Sequence, residues 1–248
     1  MVRPTPYTRR PAEAQQSRVR RGYFECRYGQ LHVHNAMPPG GGFEEGTPLL
    51  CLHDLSGSAW VFARFLALAG LDRSVYAPDL PSFDESDPPT ARAAIADYAA
   101  ALGDFLDSMR LRHLDVLGYR AGAILATELA LARPAQIGRV VLVSVPLLTE
   151  SERQVQRAAP LPDPTGRPAE SQRWAADAAA QYPLRKRLAR LTQKLLVLRP
   201  RDELWEATAR VREAHPAARL ADLDSSGAEL FGSSPAHMAD AVREFLRG

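Results

Sequence analysis

The stretch that most restricts what this chain can fold into is Gly118-Tyr119-Arg120-Ala121-Gly122. His113 to Leu117, just before it, reads as a short buried strand, and residues 123–132, just after it, have the length and composition of a helix. The pentapeptide therefore lies on a strand-to-helix turn, where glycines at both ends let strand and helix approach closely. Its spacing is that of a G-x-S-x-G frame, in which the central residue stands in strained backbone at the top of a sheet. Here the centre is Arg120. A guanidinium stays protonated and offers only donors, so it cannot attack a carbonyl.

Such a turn needs a sheet around it, and the apolar runs supply one. Strands are expected at 31–34, 48–53, 75–77, 114–117, 140–143, 195–198 and 219–222, and helices near 59–69, 91–109, 121–132, 203–214 and 235–247. This alternation predicts a doubly wound, mostly parallel α/β sheet, and 248 residues at 46% hydrophobic content suit a single core. One region breaks the rhythm. Between Pro146 and about Arg190 the chain carries Pro160, Pro162, Pro164 and Pro168 and then an alanine-rich helix at 174–180. This predicts an insertion that forms a small lid over the sheet's C-terminal edge. The division is thus a flexible basic tail at 1–22, a core at 23–145 and 191–248, and a cap at 146–190.

Charge and cysteines exclude several functions. The net charge is +2, and six arginines against Glu13 within residues 1–21 place the basic excess in the tail, leaving the remainder acidic. Without interleaved aromatics, the tail gives no case for nucleic-acid binding. No apolar run is long enough for a membrane span or a signal segment, so a cytoplasmic protein is expected. Cys26 and Cys51 have no metal-like spacing, and Cys51 sits within an apolar run as a small buried hydrophobe. His32 and His34 read as facing solvent on an outer hairpin, and no metal role is expected of them. No dinucleotide or phosphate-loop fingerprint occurs, so no cofactor is expected.

Several motifs, in order, resemble those of the α/β-hydrolase superfamily with a small helical cap. Leu50-Cys51-Leu52-His53, followed by Ser56-Gly57-Ser58-Ala59-Trp60, is similar to its third strand and His-Gly oxyanion loop. Residues 76–87 are similar to its Pro-Asp-x-x-Gly-x-Gly-x-Ser stretch, and Ala132-Arg133-Pro134 with 137–142 to the approach to its sixth strand. The departures fall where the family does chemistry. Arg120 stands at the nucleophile, Asp54 replaces the glycine after His53, Ser82 and Asp84 replace later glycines, and Ala228 stands where the base histidine belongs. The acid position is kept as Asp202 or Glu203, although Pro200 replaces the usual glycine.

Replacement residues for a triad are weak. His237 opens the last helix behind Ser234 and Pro235 and reads as a surface residue, while His113 and His215 fall away from the expected cleft. A displaced pair of Ser56 or Ser58 with His53 would still have to meet base and oxyanion donors together.

A cation at a helix start opposes the macrodipole, so Arg120 requires an anion. Asp54, Asp202, Glu203, Glu229 or a bound ligand can supply it. Pairing with Asp54 fills a dead pocket, whereas a partly free Arg120 grips a carboxylate or phosphate. The resemblance therefore implies an α/β-hydrolase-fold protein without serine-hydrolase activity. Its expected role is to bind a small anionic or carbonyl ligand, or a protein partner, through a cleft lined by Arg120, Tyr119, Asp54, Leu55, Asp202, Glu203 and Ala228. The alternative is an active hydrolase, lyase or isomerase using non-standard residues such as Tyr119, Arg120 and Asp54 or Asp202. Whether amphipathic helices make a homodimer is left open, because the same stripes serve a core.

Overall fold

The computed structural model describes residues 17–40, 46–158, 170–225 and 229–248, with side chains described outside 155–158. Pro160, Pro162, Pro164, Pro168 and Ala228 lie outside the described residues.

Among the described residues, eight strands form one sheet: β1 (Arg20–Cys26), β2 (Gly29–Ala36), β3 (Gly46–Leu52), β4 (Arg73–Pro78), β5 (Leu114–Tyr119), β6 (Ile137–Val143), β7 (Lys194–Pro200) and β8 (Arg219–Leu223). Their order is β1-β2-β4-β3-β5-β6-β7-β8; β1 and β2 run antiparallel to their neighbours and the rest are parallel. The expected doubly wound, mostly parallel sheet is what the chain forms.

All seven expected strands are present, and β1 is an addition. It begins at Arg20, inside the stretch expected as a tail, and Ser17 before it is buried, its backbone N–H donating to Ala67 O at 2.8 Å. Arg20 and Arg21 do not disrupt β1 because it is the edge strand and leaves them exposed.

The helices are α1 (Ala63–Ala69, after a 3₁₀ turn at Ala59–Phe62), α2 (Ile95–Ser108), α3 (Ala121–Ala132), α4 (Glu150–Ala158), α5 (Glu170–Gln181), α6 (Leu184–Leu188), α7 (Trp205–Ala209), α8 (Val211–Ala214) and α9 (Pro235–Arg247). One apolar layer packs α1 and α9 against the sheet, and a second packs α2, α3 and α6 against the opposite face. The helical stretch expected at 203–214 is broken in two, and Ser234 makes no side-chain cap on α9. Pro235 does occupy the first turn of α9, as expected. Between β6 and β7 the chain forms α4, α5 and α6.

From β3 the chain passes to β4 on one side and then crosses to β5 on the other, so the loops after β3 and β5 meet where the winding reverses. In open α/β sheets such a switch point, at the carboxyl ends of the strands, is where ligands sit.

Candidate active site

Arg120 stands between β5 and α3 with φ 53° and ψ −117°, in backbone that non-glycine residues rarely adopt. Packing holds it there. A Cβ on Gly122 would overlap the Leu52 carbonyl oxygen and lie 2.8 Å from that of His53, while one on Gly118 would lie 2.6 Å from Ala123 Cα. Both glycines are thus fixed by the close approach of β5, α3 and the end of β3. The Arg120 N–H donates to Val143 O at 2.9 Å, tying the turn to β6.

Three carboxylates converge here, and they divide the work. The Arg120 guanidinium pairs with Glu203 at 2.5 Å and approaches Asp202 at 3.6 Å, and its Nε–H donates to the Tyr119 hydroxyl at 3.0 Å. Of the anions open to Arg120, it meets Glu203 and Asp202 and not Asp54. Asp54 instead accepts the Ala121 N–H at 3.1 Å and the Ser56 hydroxyl at 2.5 Å. Helix geometry accounts for this: the Asp54 carboxylate lies against the first amide of α3, where the macrodipole favours an anion. The cation is turned away, towards the loop after β7.

The same contact bears on chemistry. On a strand-turn-helix of this kind, the N–H of the residue after the central one is an oxyanion donor. Here that residue is Ala121, and its N–H is already held by a carboxylate of the chain itself. A developing oxyanion would have to displace Asp54 and endure its charge.

Asp202 is 5% exposed and accepts the Ser144 hydroxyl at 2.6 Å and the Leu204 N–H at 3.0 Å. Glu203, next in sequence, is 66% exposed. Burial pulls on the Arg120 guanidinium, but hydrogen bonds to Glu203 and Tyr119 outweigh it and hold the cation more firmly charged than usual. In return the hydrogen bond from Arg120 holds Glu203 below the ordinary glutamate range. Tyr119 is buried with its ring 5.2 Å from Phe231, edge to face, and burial raises its phenol.

Ser144 is the site residue that sequence reasoning missed. It is fully buried at the end of β6, with φ 52°, beside the turn at Arg120. The available signal was its place immediately after an apolar strand run, at the sheet's carboxyl edge.

His53 is fully buried and spent on structure. Its Nδ1–H donates to Asp54 O at 2.7 Å, while its Nε2 accepts the Leu80 N–H at 2.9 Å. This fixes the neutral tautomer, and burial lowers its pKa. Neither nitrogen is left for Ser56, which is bonded to Asp54, or for Ser58, which caps the Trp60 N–H at 3.4 Å. The displaced serine–histidine pair is not assembled. His237 is exposed on α9, as expected, and Glu229 is exposed too.

Leu55 lines the space under the turn, with Leu80, Ile95, Tyr98, Ala121 and Leu125 from the core. Ala175 and Ala179 of α5 close it to a cavity of about 10 Å³. That volume is about one water molecule.

His32 and His34 correct the sequence reading. Both are buried, because β2 lies inside β1 and beneath the turn that carries Trp60, and they lie next to Asp79. Cys51 is buried as expected, and burial raises its thiol far above the usual range. Among the described residues, no helix is long and apolar enough to cross a membrane.

Comparison with known proteins places this geometry in a family. A profile of the alpha/beta hydrolase fold matches residues 47–229. Over 117 residues the chain is 28% identical to an uncharacterized protein of Mycobacterium bovis, covering 47% of this chain and 34% of that one. Over 133 residues it is 33% identical to 2-hydroxy-6-oxononadienedioate/2-hydroxy-6-oxononatrienedioate hydrolase 2 of Pseudomonas putida, covering 51% of this chain and 43% of that one. The chain thus spans between a third and a half of the length of these relatives. The enol-lactonase from Burkholderia xenovorans LB400 has a similar fold, with a TM-score of 0.74 at 16% identity, covering 92% of this chain and all of that one. The chain belongs to the α/β-hydrolase family.

Proposed function

We propose that this chain is an α/β-hydrolase-fold protein that does not hydrolyse esters or amides through its turn, and that it works by binding an anionic group at Arg120. The observation that carries this reading is the mutual satisfaction of the site. Arg120 is held by Glu203 and Asp202, and Asp54 holds the Ala121 amide, so among the described residues the turn presents no nucleophile and its Ala121 amide is not left to receive a carbonyl oxygen. The cavity of about 10 Å³ beneath supports it as well, because a substrate acyl group has no room there without movement of α5.

Binding at the mouth takes the form of exchange. The Asp202 side chain is buried and anchored by Ser144 and Leu204, whereas Glu203 is mostly exposed on its loop. An incoming carboxylate or phosphate replaces the Glu203 carboxylate on the guanidinium, one anion for another, and takes up the same forked donors. The insertion between β6 and β7 acts in this reading as the cap that shapes the mouth. The hydrolase activity named for the Pseudomonas putida relative does not carry over, because it would require a nucleophile where Arg120 stands.

Calorimetric titration with small carboxylates and inorganic phosphate tests the exchange. Glu203→Gln should tighten binding by several-fold, and Arg120→Ala should abolish it. Equal affinity in wild type and Arg120→Ala would refute the site, and unchanged affinity in Glu203→Gln would refute the exchange.

A further inference from the structure

Away from the turn, on the other side of β3, three residues with metal-ligating side chains converge. His32 and His34 are two apart on β2, so their side chains share one face of the sheet. β2 pairs antiparallel with β4 in the register His34 to Ala77, and the Asp79 N–H donates to His32 O at 2.9 Å. This brings Asp79 against the two imidazoles, and one ligand atom from each of the three lies within 4.8 Å of the others.

We propose that His32, His34 and Asp79 form a binding site for a divalent transition-metal ion of the Zn(II) or Co(II) type. Two imidazoles and a carboxylate make a donor set that such ions accept, and three protein ligands leave a coordination position open. The observation that singles out this cluster is His34. Its side chain is 2% exposed, yet Nδ1 has no hydrogen-bond partner. Buried polar atoms are nearly always paired, and an unpaired one costs free energy that a bound ion would remove.

The surroundings suit the role. Asp79 Oδ1 is fixed by the Ala59 N–H at 2.6 Å, an outer contact of the kind that aims a ligating carboxylate, while Oδ2 faces His32 Nδ1 at 2.6 Å. Ion binding takes the place of this hydrogen bond, with Nδ1 ligating as neutral imidazole and the ring's proton carried on Nε2. With metal–ligand bonds of about 2.0–2.1 Å, tetrahedral ligand atoms lie roughly 3.3 Å apart, so this contact widens by under about 1 Å. The cover is movable: Trp60, 64% exposed, packs edge to face on His34, and exposed Tyr23 lies against His32. Turning the Trp60 side chain outward would uncover the His34 ring without moving the backbone of β2.

The test is a Co(II) titration of the full chain, without a histidine tag, followed by Zn(II) displacement. The expected result is one equivalent of Co(II) bound with the intense visible absorption of a four- or five-coordinate ion, lost on adding Zn(II). His34→Gln should weaken binding by more than the roughly 10–100-fold typical of outer-shell changes, whereas exposed His237→Gln should leave it unchanged. Co(II) bound equally by wild type and His34→Gln would overturn the proposal. So would a wild-type spectrum no different from that of aqueous Co(II), which decides the matter even if the variant does not fold.

Discussion

At the end of β5 every charged group has a partner from the chain itself, whereas on β2 a histidine lies buried with a ring nitrogen that has none. Arg120, Asp202, Glu203 and Asp54 come from three loops, and each is bonded to another or to a backbone amide. His34 sits in a regular strand, a less adaptable setting, and its Nδ1 is left over. The difference teaches where to look for an external ligand. A site whose groups satisfy one another is closed until a competitor displaces one of them, but a buried orphan marks a place already short of a partner.

The strongest way to break the first region is to disturb the glycines that shape it. Gly122→Ala places a methyl group into the Leu52 carbonyl, with no flexible side chain to yield, so a loss of about 4 kcal/mol or more, or failure to fold, is expected in urea denaturation. Gly57→Ala, with nothing within 4 Å of the added carbon, should stay within about 0.5 kcal/mol. If Gly122→Ala folded as stably as Gly57→Ala, the close approach at the turn would be wrong.

A pair of histidine substitutions sharpens the contrast. His53→Leu strands the buried Leu80 N–H and the Asp54 carbonyl, and should cost about 2–4 kcal/mol. His34→Leu removes an unpaired buried nitrogen and should cost under about 1 kcal/mol, or stabilise, in metal-free protein. Equal costs in denaturant titrations would erase the distinction between the two regions.

These expectations show what a sequence can carry. Both glycines of the turn were legible because close packing leaves no substitute for them, and β3, β5, β6 and β7 were legible as continuous apolar runs. The partner of Arg120 was not legible. Asp54 lies on one loop and Asp202 and Glu203 on another, 66 to 83 residues away from Arg120, and loop geometry decides which of them the guanidinium meets. β1 was hidden because an edge strand with exposed arginines reads as a solvated terminus. For the same reason His32 and His34 read as outward-facing: their burial comes from β1 and the Trp60 turn, which period-two alternation cannot show.

A smaller effect concerns the latch itself. Arg120 holds the folded-state pKa of Glu203 below its unfolded value. The pair therefore adds stability above the ordinary glutamate pKa of about 4.3 and loses it as pH falls through the lower folded value. Because Glu203 is largely exposed, the contribution should be under about 1 kcal/mol. Thermal unfolding of wild type and Glu203→Gln should differ slightly at neutral pH and converge in acid. A difference that grew as the pH fell would reverse the assigned sign.

In the proposed function the turn at Arg120 performs no covalent chemistry. Intact-mass spectrometry of the full chain after incubation with a fluorophosphonate tests it most directly, because the reagent reports an activated serine without knowledge of the substrate. An unchanged mass, with ester hydrolysis equal in wild type and Arg120→Ala, is the predicted result. A stoichiometric single adduct would contradict the account and require a nucleophile that this geometry does not assemble.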